Sequence, residues 1–327
     1  MQKYIAQRLL LTIPTLLLVT IFIFVLLRVL GPDDVIDIVI GEFGRNDPEI
    51  RQALREQLGL DGSPVNQYLR WMGVTWFWGG ESGLLQGNLG ESIGTGRPVV
   101  QELQRRVPVS LELGLWSVII GVLISVPVGV YSAMNQDKFA DYGLRSVAIL
   151  LAAVPSFWIA ILVITFGSVW FHWAPPLDFA YIQDDPVAHF KTLALPALII
   201  GLTPSGSLIR LTRTQMLEVL RQDYIRTAHA KGLSKNVVLY KHALRNSLLP
   251  IVTLVGTILL PNVVAGTVIF ERIFTIPGMG VYLVDSVDRL DYPVIQGLVF
   301  VFTLVLVISA LLTDIVYALL DPRIRFD

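Results

Sequence analysis

Four histidines, His172, His189, His229 and His242, are the side chains here that most readily bind a metal or carry a proton at neutral pH. They form no His-Glu-x-x-His pattern, and His172 and His189 stand 17 residues apart in a polar connection. They are expected to be solvated loop histidines, so no metal site is assigned. The chain has no cysteine, which removes disulfides, thiolate ligands and cysteine nucleophiles. No glycine is followed by lysine, so there is no Gly-x-x-x-x-Gly-Lys-Ser/Thr loop to cradle phosphates. No catalytic residue and no bound cofactor are expected, and the chain is read as not itself an enzyme.

The stretch whose charge and spacing could do mechanical work is YIRTAHAKGLSKNVVLYKHALRNSLLP, residues 224–250. With the residues just before it, it holds Arg210, Arg213, Arg221, Arg226, Lys231, Lys235, Lys241 and Arg245 against Glu218 and Asp223. Leu217, Leu220, Tyr224 and Ala228 recur at helical spacing. Gly232 offers a left-handed position and Ser234 a helix cap. Val237, Leu244 and Leu248 then share a face of a second helix. Pro250 suits the first turn of the next helix or a kink there. The reading is a short helix, a sharp turn and a second helix, a compact knob. A basic loop lying on anionic lipid is the plainer alternative.

The elements that must position this knob are membrane helices. Of 327 residues 54% are hydrophobic and 16% charged, with a mean hydropathy of +0.64. Soluble domains carry about 25% charged residues. Six apolar runs, near 9–30, 110–133, 144–170, 194–215, 248–270 and 293–318, are each long enough to cross a core of about 30 Å. The first is too long for a cleavable signal and no small-residue cleavage site follows it. The fold class is therefore an all-α polytopic membrane protein with six transmembrane helices. A large external loop follows the first helix, and a cytoplasmic loop lies between the fourth and fifth. With both termini cytoplasmic, the inner segments hold 14 Lys/Arg and 6 Asp/Glu, and the outer segments 10 and 18. Positive charge resists translocation, so this orientation is favoured over its inverse.

Residues 31–107 form the external loop. It contains a charged helical stretch, Asp47 to Leu58, and the aromatic run Trp71 to Trp78. Aromatic rings of this kind sit at a membrane edge or form a surface for an external partner. Arg28 and Glu112 lie near span ends and are expected to snorkel. Asp314, about a turn inside the last span, is expected to meet a helix partner rather than relay protons. Pro127, Pro155, Pro196, Pro204 and Pro261 break or kink the spans. Such breaks are tolerated where backbone faces protein or a water-lined path. Pro155, Ser156, Phe157, Gly256, Pro261, Asn262 and Gly266 are the pathway candidates, with close helix packing as the alternative for the small residues.

The spacing from Arg226-Thr227-Ala228 to Gly232, and on to Leu249-Pro250, resembles the cytoplasmic EAA loop of permease subunits of binding-protein-dependent ABC importers. It is most like the oligopeptide/dipeptide-type permeases, in which Arg-Thr-Ala-x-Ala-Lys-Gly stands in that place. The resemblance runs the length of the chain: Tyr4-Ile-x-x-Arg8, Gly87-Asn-Leu-Gly90-x-Ser92, Arg97-Pro98-Val99, Arg106-x-Pro108-x-Ser110-x-Glu112, Pro155-Ser156-Phe157-Trp158, Pro277-Gly278-Met-Gly280, Asp291-Tyr292-Pro293 and Asp314-x-x-Tyr317-x-x-x-Asp321-Pro322-Arg323. Two places depart from the pattern. Gly31-Pro32-Asp33 stands where the family more often has Pro-Gly-Asp, and the Trp-rich piece near 76–85 looks like an insertion.

The resemblance implies two parts: residues 1–108, an N-terminal helix with its external loop, and 109–327, a five-helix permease core with the coupling loop 216–250. It implies a second related permease, two cytoplasmic ATP-binding subunits and an extracytoplasmic solute-binding protein, in a prokaryotic inner membrane. ATP and Mg would sit on those ATPase subunits and not on this chain. The ATPase-coupling residues would be Tyr224, Arg226, Thr227, Ala228, Lys231, Gly232, Leu249 and Pro250. Ala228 and Gly232 would pack closely, with Tyr224, Arg226 and Lys231 at the rim. The implied cargo is peptide. Nickel, glutathione and oligosaccharides are the alternatives within the family. A secondary transporter without ATPase partners is the rival from another class, but it would need coupling-ion residues inside the spans, where charges are scarce. A membrane-anchored binding or scaffold protein is a third reading, and six spans exceed what an anchor needs.

Overall fold

The structure is a computed structural model that describes residues 2–29, 36, 48–49, 52, 55, 62–256 and 260–320. Most of the stretch Asp47–Leu58, and the segment from Asp321 to Arg323, lie outside the described residues. The described residues are mostly helical. Their one strand-like pairing is an isolated antiparallel bridge, Glu91 with Pro98.

Eleven helices are labelled in chain order. They are α1 (Gln2–Val29), α2 (Pro64–Met72), α3 (Val99–Met134), α4 (Phe139–Ala153), α5 (Ser156–Phe171) and α6 (Pro186–Leu220). There follow α7 (Asp223–Ala230), α8 (Arg245–Leu254), α9 (Leu260–Ile273), α10 (Met279–Asp288) and α11 (Tyr292–Leu320). Among the described residues, four helices are long and apolar enough to cross a membrane: α1 over Leu10–Arg28, α3, α6, and α11 over Tyr292–Val316. The pair α4 and α5, bent by 95° at the break, makes up to a fifth span. A polytopic all-α membrane protein follows.

Of the prolines expected to break spans, Pro155 does so. Val154 and Pro155 take extended backbone (ψ 127° and 133°) between α4 and α5. The residue before a proline is driven out of the helical region, and here the chain turns. By contrast, α3 runs on through Pro127 and α6 through Pro196 and Pro204. A proline inside a helix loses one backbone hydrogen bond, and packing against neighbours holds the helix together where it is lost. Pro196 is itself buried.

Packing divides the chain into two units. One comprises Val109–Gly278 and Ile308–Asp327, the other Gln2–Pro108 and Met279–Val307. In the first, small residues let helices touch backbone to backbone. A Cβ on Gly201 of α6 would overlap the carbonyl oxygen of Ser117 in α3, and one on Gly206 would overlap that of Ala148 in α4. This is the small-residue packing that substitutes for hydrophobic driving force in lipid. A core of Leu113, Leu193, Ala197, Ile200, Phe270 and Phe274 lies between α3, α6 and α9. In the second unit Met72, Leu89, Val99, Leu103, Tyr282 and Leu298 form the core. Its polar tie is Asp291, 4% exposed, which accepts from Ser92 Oγ at 2.6 Å and from the backbone N–H groups of Ile93 and Gly94 at 3.2 Å each.

Candidate functional site

The basic knob is built as two helices joined by a turn, with boundaries that differ from the sequence reading. Leu217 and Leu220 belong to the end of α6, not to the short helix. The chain breaks at Arg221 and Gln222, where Gln222 takes extended backbone (φ −73°, ψ 148°), and α7 starts at Asp223. An aspartate in its first turn complements the helix dipole. Ile225 and Ala228 are the buried face of α7. They pack with Val130 and Ala133 of α3, Met216 of α6, and Val238, Leu239 and Ala243 beyond the turn.

After α7 the backbone turns at Gly232 with φ +78°, a conformation costly for any residue with a Cβ. A Cβ there would meet nothing in this chain within 4 Å. Gly232 is therefore required by the turn itself, not by close packing within the chain. Helix resumes directly after Ser234, but residues Val237–Leu244 form π-helix rather than α-helix. Its i→i+5 bonding resets which residues share a face. Val238, Leu239, Ala243 and Ser247 are buried, while Val237, one of the expected face residues, is exposed. Pro250 sits inside α8 with Leu249, both half-buried.

The outer surface of the knob is polar and basic. Tyr224, Arg226, Thr227, His229, Lys231, Lys235 and Lys241 are exposed. Arg226 makes only a long contact with Asp223, 3.5 Å, and Tyr224 accepts a hydrogen bond from Asn246 Nδ2 at 3.1 Å. That bond ties α7 to the start of α8. Ser247 Oγ lies 3.1 Å from Met216 Sδ, stitching α8 to α6. Arg213 is turned inward instead. Its Nε and Nη2 donate to Asp141 at 2.7 and 2.6 Å, and Ser132 Oγ also donates to this fully buried carboxylate. A fork-to-carboxylate pair of this kind fixes geometry as well as charge. It clamps α3, α4 and α6 beside the knob.

The other sequence-derived candidates separate. Pro155, Ser156 and Phe157 lie together at the α4–α5 bend, with Phe157 exposed. Gly256 is buried, and a Cβ there would overlap Thr313 of α11, so it serves helix packing. Pro261, Asn262 and Gly266 fall on α9, and the surroundings of their side chains lie outside the described residues.

Two expected loose ends are tied. His189 is 2% exposed, not a solvated loop residue. Its Nδ1 lies 2.9 Å from Ala180 O and its Nε2 2.7 Å from Glu112 Oε2. Glu112 thus pairs with a histidine 77 positions away rather than reaching alone for water. Arg28 donates from Nε to Gln67 Oε1 at 2.8 Å and stands over the Phe24 ring. Among the described residues no group of three or more His, Asp or Glu could hold a metal.

Apolar helices long enough to cross a membrane thus accompany a short helix, α7, with one buried face and one exposed basic face. The chain belongs to the family described as binding-protein-dependent transport system inner membrane component, whose model matches residues 125–326. The N-terminal model of the same membrane components matches residues 1–114. The chain is 39% identical to the oligopeptide transport system permease protein AppB of Bacillus subtilis, over the whole of both chains. It is 37% identical to the di/tripeptide transport system permease protein DppB of Pseudomonas aeruginosa and 34% to the dipeptide permease DppB of Escherichia coli K12, over 99% of each chain. Among solved structures, the MetNI methionine ABC transporter in an inward-facing form has a TM-score of 0.53 at 15% identity. It covers 68% of this chain and 97% of that one, a likeness of fold alone.

Proposed function

We propose that this chain is the permease subunit of an ABC importer for peptides. It forms half of a translocation pathway with a second, related permease, in a prokaryotic inner membrane. Two ATP-binding subunits on the cytoplasmic side would grip the α7 knob, and a solute-binding protein would deliver cargo from outside. The reading includes six spans, the bent α4–α5 pair counting as one and α8 with α9 as another, and both termini on the cytoplasmic side. The coupling residues are Tyr224, Arg226, Thr227 and Lys231 on the exposed surface. Ala228 and Gly232 hold its shape, and Leu249 and Pro250 sit where it feeds the membrane.

The observation that carries the reading is the bracing of α7. One face is buried against α3, α6 and the π segment, and the other presents tyrosine and cations. A stiff knob passes displacement on, whereas a limp loop absorbs it. Whole-length similarity to oligopeptide and dipeptide permeases supports peptide as the cargo. The test is co-purification followed by uptake. The chain should bring down P-loop ATPases, and proteoliposomes with the full set of subunits should accumulate labelled peptide only with ATP. Uphill uptake without the ATPases overturns the proposal.

A further inference from the structure

The Val74–Trp78 turn carries an exposed aromatic cluster: Trp76, Phe77 and Trp78 are 50%, 66% and 81% exposed. Trp76 and Phe77 pack edge to face at 5.4 Å, and each of the three rings keeps half or more of its surface exposed. Left-handed glycines bracket the turn, Gly73 at φ +78° and Gly79 at φ +86°, so the three rings are held together on one tip. What covers that tip follows from its depth, which α1 fixes.

The spanning stretch of α1 ends at Arg28. Thr20, about 12 Å below that end at 1.5 Å per residue, shares a hydrogen bond of 2.9 Å with the Tyr68 hydroxyl of α2. One turn nearer the end, Phe24 meets the Tyr68 ring edge-on at 5.4 Å and the Trp71 ring at 6.2 Å. At the end itself Arg28 is bonded to Gln67. So α2 lies against the last turns of a membrane span, with one side chain reaching well into hydrocarbon depth. From Trp71 to Trp76 the chain covers no more than about 10 Å at the 2 Å rise of a tight helix. That puts the aromatic tip within reach of the boundary between acyl chains and headgroups, where Trp rings are favoured. Phe22, Val25 and Leu26, on the same stretch of α1, are exposed apolar side chains as well.

We propose that the Val74–Trp78 turn is a membrane-interface anchor. Trp76, Phe77 and Trp78 enter the leaflet that the C-terminal end of α1 reaches. No lysine or arginine lies between Trp71 and Gly96, so the attraction is to the acyl–headgroup boundary itself and does not need anionic lipid.

The absence of cysteine makes the test direct. Trp78→Cys, and in parallel Phe77→Cys, is labelled with a polarity-sensitive fluorophore in the assembled importer, its partners freed of cysteine, in phosphatidylcholine vesicles. The expected emission is blue-shifted. It is quenched more by a nitroxide placed near the headgroup than by one at the chain end, quenched little by aqueous iodide, and unchanged by adding phosphatidylserine or the solute-binding protein. Iodide quenching without nitroxide quenching overturns the anchor. So does shielding that appears only with the solute-binding protein, which would make the tip a receptor contact. Shielding from both quenchers alike, which would bury it in the second permease, also overturns it. The readout needs no transport, so failure of ATP-coupled uptake by the same vesicles is a separate result.

Discussion

Two hydrophilic regions interrupt this apolar chain, and they are built on opposite plans. The α7 knob buries small and aliphatic groups, Ile225 and Ala228, and turns its charges outward. The region around residues 62–98 holds its turns with polar side chains and turns aromatic rings outward. There Gln86 Oε1 accepts from Gly83 N at 2.9 Å while its Nε2 donates to Gly73 O at 3.2 Å. Asp291 gathers the 92–94 turn in the same way. The outer face of α7 is cationic and polar, and that of the Val74–Trp78 turn is aromatic. The difference lies in which chemistry is left unsatisfied on the outside.

The sharpest way to break this comparison is to deform both regions at left-handed glycines. Gly232→Trp is expected to abolish ATP-coupled uptake and substrate-stimulated ATPase activity while membrane insertion, read by yield and protease pattern, stays intact. Gly87→Ala, at φ +78° with open space around its Cβ, should cost only the local strain of about 1–2 kcal/mol and leave uptake near its starting level. Uptake unchanged in the first variant would remove α7 from the coupling path.

Next in size is the clamp beside the knob. Asp141→Ala leaves Arg213 without its buried partner and is expected to cost about 3–5 kcal/mol, read as a large drop in melting temperature in detergent. Asp291→Ala strands donors in the 92–94 turn, at about 1–3 kcal/mol per unsatisfied group. It should open that turn to limited proteolysis while sparing the knob. Arg226→Ala is the smallest of these in stability. The Arg226–Asp223 pair is exposed, and such pairs contribute little, so the melting temperature should not move. A fall in ATPase co-purification without loss of stability would place Arg226 at the partner's groove.

Much of this was legible in the sequence because membrane helices announce themselves by apolar length, and the spans of α1, α3, α6 and α11 are of that kind. The site of the knob was legible from Gly232 and the surrounding cations. Its internal register was not. The π-helix at Val237–Leu244 shifts every later residue around the axis, and periodicity read at 3.6 places Val237 inside when it is out. The polar ties were illegible for another reason. Asp141 and Arg213 are 72 residues apart, Glu112 and His189 are 77, and Ser92 and Asp291 are 199. Nothing local in either partner of a pair points to the other. Prolines misled in the remaining case, since Pro127, Pro196 and Pro204 read as breaks and stand in continuous helices.

The helix α6 has 35 residues, about 52 Å of unbroken rod at 1.5 Å each. His189 in its first turn is fastened to Glu112 of α3. Arg213, two turns from its far end, is fastened to Asp141 of α4. A beam pinned near both tips cannot slide past its neighbours. A displacement at the Leu220 end of α6 would therefore be shared with α3 and α4 through these ties.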